Sequence, residues 1–151
     1  MARKYAGYTN ATNTTSTTVP MFTLIGAATT RLFVYDVVSG SDATPADNAA
    51  KFTFRRVSNR GTTSATVTPN ALDAANPSSL AVFDTGWSTN PTITASSDLL
   101  QFAQNQRATF RWVAAPGSEL VVPATASNGL ALMSAVASAT ANYAWTILWE
   151  E

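Results

Sequence analysis

Apolar and polar residues alternate with a period of two along most of this chain. In YAWTILWE, Tyr143, Trp145, Ile147 and Trp149 fall on one face and Ala144, Thr146 and Leu148 on the other, the signature of a strand with one strongly apolar side. The same rule groups Phe33, Tyr35 and Val37 in RLFVYDVV. It sets Phe52 and Phe54 against Lys51, Thr53 and Arg55 in KFTFRRV, and Phe110 with Trp112 against Thr109 and Arg111 in ATFRWV. Further strands are expected over 19–25, 62–68, 80–84, 99–105, 120–122 and 130–136. Breakers separate them: Gly40-Ser41-Asp42 with Pro45, Asn59-Arg60-Gly61, Asn90-Pro91, Ala115-Pro116-Gly117-Ser118 and Ser127-Asn128-Gly129. About ten short strands at this spacing predict an all-β fold, an antiparallel sandwich or barrel. Phe33, Phe52, Phe54, Phe110, Trp112, Trp145 and Ile147 are expected between two sheets, each in phase with an apolar neighbour two residues away.

The stretch VTPNALDAANPSSLAVFDTGW, 67–87, breaks the alternation. Pro69 ends one strand and Asn70 can cap a short helical turn, which Pro77 stops. The segment therefore reads as a crossover over one end of the sandwich, with Leu72 as its apolar plug and Asp73 bonded to backbone amides. The Thr/Asn-rich start of the chain, residues 1–18, reads as an extended N-terminal arm, leaving 19–151 as a single β-domain. Arg3, Lys4, Tyr5 and Tyr8 in that arm are residue types that anchor interfaces, and they are the candidate contacts to a partner or a neighbouring subunit.

Composition narrows what such a domain does. The chain has 151 residues, no Cys and no His, which removes disulfides, thiolate sites, the commonest metal ligand and the Ser-His and Cys-His nucleophile systems. Lys plus Arg and Asp plus Glu number nine each, so no net field recruits nucleic acid or an anionic membrane surface. Charged residues make up only 12%, a lightly hydrated surface that favours association with other subunits. No apolar run is long enough to span a membrane, and the first residues lack the apolar core of a signal peptide, so synthesis in a cytoplasm is expected.

Candidate chemistry is sparse. Asp84 with Glu119 is the best carboxylate pair for glycoside hydrolysis, but the acids sit beside turn residues where a carboxylate makes local bonds. Asp42 and Asp47 match no calcium-loop spacing. No catalytic, cofactor or metal residues are assigned. Of four tryptophans, Trp112, Trp145 and Trp149 lie in phase with core positions, whereas Trp87 follows Thr85-Gly86 near a turn, where it could equally stack on a sugar or cap the end of the sandwich.

The order of these pieces resembles the small jelly-roll decoration, or cement, proteins of tailed-bacteriophage heads. The resemblance rests on the connector Pro69-Asn70-Ala71-Leu72-Asp73-Ala74-Ala75-Asn76-Pro77-Ser78-Ser79-Leu80, then Trp87, Gly129-Leu130-Ala131-Leu132 and a last strand ending in Glu150 and Glu151, and it covers residues 22–151. It implies a jelly-roll β-sandwich that trimerises, sits on the outer surface of the assembled capsid against the major capsid protein, and stabilises the virion without catalysis. The alternative is a carbohydrate-binding module or phage fibre domain with Trp87 as its stacking platform.

Overall fold

The computed structural model describes residues 2–13, 16–41, 44–136 and 140–151. Its strands, in chain order, are β1 (Lys4–Asn13), β2 (Phe22–Ile25), β3 (Leu32–Ser41), β4 (Ala49–Asn59), β5 (Thr62–Val67), β6 (Asn70–Ala71) and β7 (Val82–Thr89). They continue with β8 (Thr92–Ile93), β9 (Leu100–Asn105), β10 (Phe110–Val113), β11 (Leu120–Val122), β12 (Gly129–Ser134) and β13 (Ala141–Glu150). No helix occurs among the described residues. The strands form two antiparallel sheets. Sheet 1 runs β10-β3-β13-β1-β6, with β11 also on β3, and sheet 2 runs β5-β7-β2-β12-β4-β8, with β9 also on β4.

The expected all-β sandwich is the observed fold. Its centre is β1-β13-β3-β10 facing β2-β12-β4-β9, and in chain order these eight strands change sheet at every step except from β4 to β9, both in sheet 2. Rows of side chains set by strand register fill the interface. On sheet 1 Tyr5, Trp149 and Val34 form one row, and Thr9, Trp145, Ser39 and Phe110 another. On sheet 2 Phe22, Leu132, Phe54 and Leu100 align. Aromatic rings lock the rows together: Phe52 meets Trp145 edge-on at 5.0 Å and Tyr143 at 5.2 Å, and Phe22 stacks on Phe83 at 4.9 Å. Phe102 of β9 and Phe110 of β10 lie parallel at 3.8 Å and close the seam along one edge of the sandwich. The sheets approach so closely that a Cβ on Gly7 would come within 2.7 Å of the Phe83 ring, which is why β1 carries a glycine there.

Of the expected core, Phe52, Phe54, Trp145 and Ile147 are buried, and Phe110 and Trp112 are partly buried at its margin. Phe33 is not in the core. It is 36% exposed, because β3 changes phase: Leu148 pairs with Asp36 but the next residue, Trp149, pairs with Val34, leaving Tyr35 as an inserted residue. Such a bulge turns the following residues over. Leu32 and Val34 before it and Val37 after it face the core, while Phe33 and Tyr35 face out.

The N-terminal segment is not a separate arm. All ten residues of β1 pair with β13, and Tyr5 and Ala6 pair with β6 on the other side, so β1 is an internal strand of sheet 1. Alternation in KYAGYT already carries this placement: Tyr5, Gly7 and Thr9 are buried while Lys4 and Tyr8 are exposed. The Thr-rich composition masked it. Met1, Thr14 and Thr15 lie outside the described residues, as does Asp42.

The connector after β5 is a crossover without a helical turn. Asn70 and Ala71 join the sheet as β6, and Asp73 then closes a β-turn, its carbonyl accepting from Asn76 N at 2.9 Å and its Oδ1 from Ala75 N at 2.9 Å. An aspartate that bonds the amide two residues on competes directly with helical bonding, and Pro77 has no N–H with which to extend a helix. Leu72 is 52% exposed and plugs nothing. Instead the connector is fastened from both chain ends. The Tyr5 hydroxyl donates to Pro77 O at 3.0 Å. The Glu151 carboxylate accepts from Ser79 Oγ, from Leu80 N at 3.1 Å, from Ala81 N at 3.2 Å and from Trp149 Nε1 at 3.2 Å.

Candidate functional site

The outer faces of the two sheets differ in how they are finished, and the candidate site is on sheet 1. Its outer face follows from the register. Tyr8, Thr146, Val38 and Arg111 form one row across four strands, and Ala6, Leu148, Asp36 and Val113 the next. Lys4, Glu150, Phe33 and Val121 form the third. Tyr8 is 55% exposed and Val113 56%, so large apolar groups stand in solvent at both flanks of a face whose centre is Leu148, Val38 and Thr146.

Charge on this face is internally balanced. Arg111 reaches Asp36 through two bonds, at 2.7 and 3.2 Å, and this pairing raises the Arg111 guanidinium above its ordinary value. At the other end Lys4, Phe33, Tyr35, Glu119 and Glu150 line a cavity of about 290 Å³. The Lys4 ammonium sits 5.4 Å over the Tyr35 ring, a cation–π contact. Burial first, and then the charges of Asp36 and Glu150, push the Tyr35 phenol above its ordinary value, so it stays a neutral donor. Aromatic walls with one ammonium and two carboxylates suit recognition of a mixed polar and apolar surface.

The residues singled out from the sequence are only partly brought together. Lys4 and Tyr8 share this outer face, and exposed Arg3 lies beside it, lining with Lys4, Leu72 and Asp73 a second cavity of about 570 Å³ at the connector. Tyr5 faces the opposite way, fully buried and stacked at 6.2 Å on Trp149. Trp87 is on the other sheet, opposite Thr63, partly buried, with its indole Nε1 enclosed and without a protein acceptor. Phe33, Tyr35 and Glu150 were not singled out as contact residues. The bulge at Tyr35, which no local pattern announces, is what turns the two aromatics outward.

The carboxylate pair Asp84 and Glu119 is not assembled. Asp84 belongs to β7 of sheet 2 and is fully buried, bonded twice at 2.7 Å to Arg60 and at 2.9 Å to Thr66 Oγ1. Glu119 adjoins β11 of sheet 1 and accepts from Gly117 N at 3.1 Å within a turn. Asp47 is exposed and accepts from Asn105 Nδ2 at 2.6 Å. Among the described residues no group of three or more His, Cys, Asp or Glu is placed to hold a metal ion, and no helix is long and apolar enough to cross a membrane. No protein-family model and no curated protein sequence matches this chain.

Proposed function

We propose that this β-sandwich is a virion structural protein, a decoration protein that docks on the outer surface of an assembled phage capsid as a homotrimer and stabilises it without catalysis. The observation that carries the proposal is the outer face of sheet 1: exposed Tyr8, Phe33 and Val113 around a neutralised Asp36–Arg111 pair, on a chain with few charges. An apolar face with balanced charge costs little to desolvate and is the kind of surface that binds another protein. The strand order fits a jelly roll, and the resemblance to capsid decoration proteins implies the partner, the major capsid protein, and the three-fold closure.

The test is occupancy on capsids. Undecorated capsids of the phage that encodes this chain are mixed with purified protein, and bound copies are counted after sedimentation, with light scattering reporting the free protein's mass. Saturating binding by a trimer is expected, together with loss of binding in a Tyr8→Asp/Val113→Asp double variant that keeps its unfolding midpoint. No wild-type binding overturns the function, equal binding by the double variant overturns the docking face, and a monomer at micromolar concentration overturns the trimer.

A further inference from the structure

A second site stands at one end of the sandwich, beside the docking face, with which it shares Val121. Arg56 is opposite Leu130 in register, so it follows the inward side of β4 to the point where the core ends, and there its Nη1 donates to Val121 O of β11 in the other sheet. That bond ties the two sheets together but uses one of five guanidinium N–H groups. Arg31, immediately before β3, comes to the same place, and Arg31, Arg56, Val121 and Pro123 line a cavity of about 280 Å³.

The two guanidinium groups share one cavity and, among the described residues, no counter-charge. Arg55, Arg60 and Arg111 each hold an aspartate at 2.9 Å or less. Neither Arg31 nor Arg56 has a carboxylate within ion-pair distance among the described residues, and no acid lines their cavity. A partly buried guanidinium without an anion pays desolvation that nothing returns, and burial alone lowers the Arg56 pKa below its ordinary value. Two guanidinium forks with spare donors beside an apolar wall of Val121 and Pro123 are built for a compact oxyanion, which accepts several N–H bonds at once.

We propose that the Arg31–Arg56 cavity binds one oxyanion of the carboxylate or phosphate type, which completes the end of the sandwich. The oxyanion comes either from solution, as phosphate, or from an acidic side chain of a bound protein. The two sources are separated by titrating the ¹⁵N-labelled full chain with inorganic phosphate and, separately, with N-acetyl-glutamate amide at constant ionic strength, and following the arginine Nε–H resonances. Saturable shifts confined to Arg31 and Arg56 are expected with at least one of the two, weakened about tenfold or more in Arg31→Gln, the loss of one charge-assisted contact. Because Arg31 is exposed and makes no bond that ties the sheets together, that variant keeps the fold even if Arg56→Gln does not. Tighter phosphate binding assigns the site to a free ion, and tighter carboxylate binding assigns it to a protein side chain. Linear, unsaturated shifts with both probes, or equal affinity in Arg31→Gln, overturn the site.

Discussion

The two sheets begin from the same alternation and end differently on their outer faces. On sheet 2 the row Val82, Ile25, Gly129, Val57 and Ile93 crosses five strands in register. Ile25 and Val57, together with Ala131 and Met133, are buried by the chain's own covering. Gly129 has no Cβ because one would run into the Leu24 carbonyl oxygen and come within 2.8 Å of Ile25 Cδ1, so the row closes over it. Polar groups on that face are locked as well: Asp98 holds Thr53 at 2.8 Å and Arg55 at 2.9 Å, and Arg60 holds Asp84. On sheet 1 the equivalent positions carry Tyr8, Phe33 and Val113 in solvent. One outer face has been made into a second, smaller core, and the other keeps large apolar groups in solvent. Exposure of an apolar residue thus has meaning only relative to what the fold could have covered and did not.

That contrast can be broken most severely from sheet 2. Arg60→Ala leaves Asp84 fully buried without its cation and should cost about 3–5 kcal/mol in urea unfolding, the penalty of an orphaned buried charge. Phe52→Ala, which empties the centre that both sheets share, should cost a similar amount, about 3–5 kcal/mol. A small effect of the first alongside a large effect of the second would show the outer covering of sheet 2 to be dispensable.

Paired truncations on the two outer faces sharpen the point. Met133→Ala should destabilise by about 2–5 kcal/mol because it opens a cavity, whereas Val113→Ala should stay within about 0.5 kcal/mol because its side chain is already in water. Equal losses would mean that sheet 1 is covered in solution.

Acid provides a milder probe of the same difference. Hydrogen bonds from Arg55 and then from Thr53 hold the Asp98 carboxyl below its ordinary value, so the folded state binds its proton less readily than the unfolded chain does. The stabilisation is therefore complete above the ordinary aspartate range and disappears as pH falls through the lowered folded value. Asp98→Asn should flatten that part of the acid limb in a pH series of melting temperatures, by a modest amount because the ion pair is about one-third exposed. On sheet 1, Arg111→Ala should lower the unfolding midpoint by less than Arg60→Ala because the arginine side chain is 63% exposed, but measurably because it leaves the buried Asp36 carboxylate without its cation.

Much of the fold was legible in the chain. Period-two runs located the strands that matter, and the in-phase aromatics Phe52, Phe54 and Trp145 are where the alternation put them. The connector's role as a crossover was legible from Pro69 and Pro77, but its anchors were not, because Tyr5 and Glu151 are separated by 70 to 72 residues from the connector groups they bond. The candidate site was less legible still. Lys4 and Tyr8 stand out by residue type, but they belong to an internal strand and not to an extended arm, because ten consecutive strand pairs with β13 outweigh a Thr/Asn-rich composition. Phe33 is expected in the core because a bulge leaves no mark in a short apolar run, and Asp84 reads as a locally bonded turn acid because Arg60, 24 residues earlier, gives no sign of reaching it.

By itself the sequence determined which side chains share a face. That is a consequence of strand geometry, local to a few residues and independent of everything else in the molecule. It thereby determined an all-β chain of two sheets with an aromatic core. Only the tertiary structure decided which face looks inward beyond a bulge, that the N-terminal residues form an internal strand, and which outer face the chain covers for itself. Those outcomes depend on strands brought together from opposite ends of the chain, Lys4 beside Glu150 and Phe54 beside Leu132, and on the volume left between them. Alternation is a property of one strand, and burial is a property of what lies across from it.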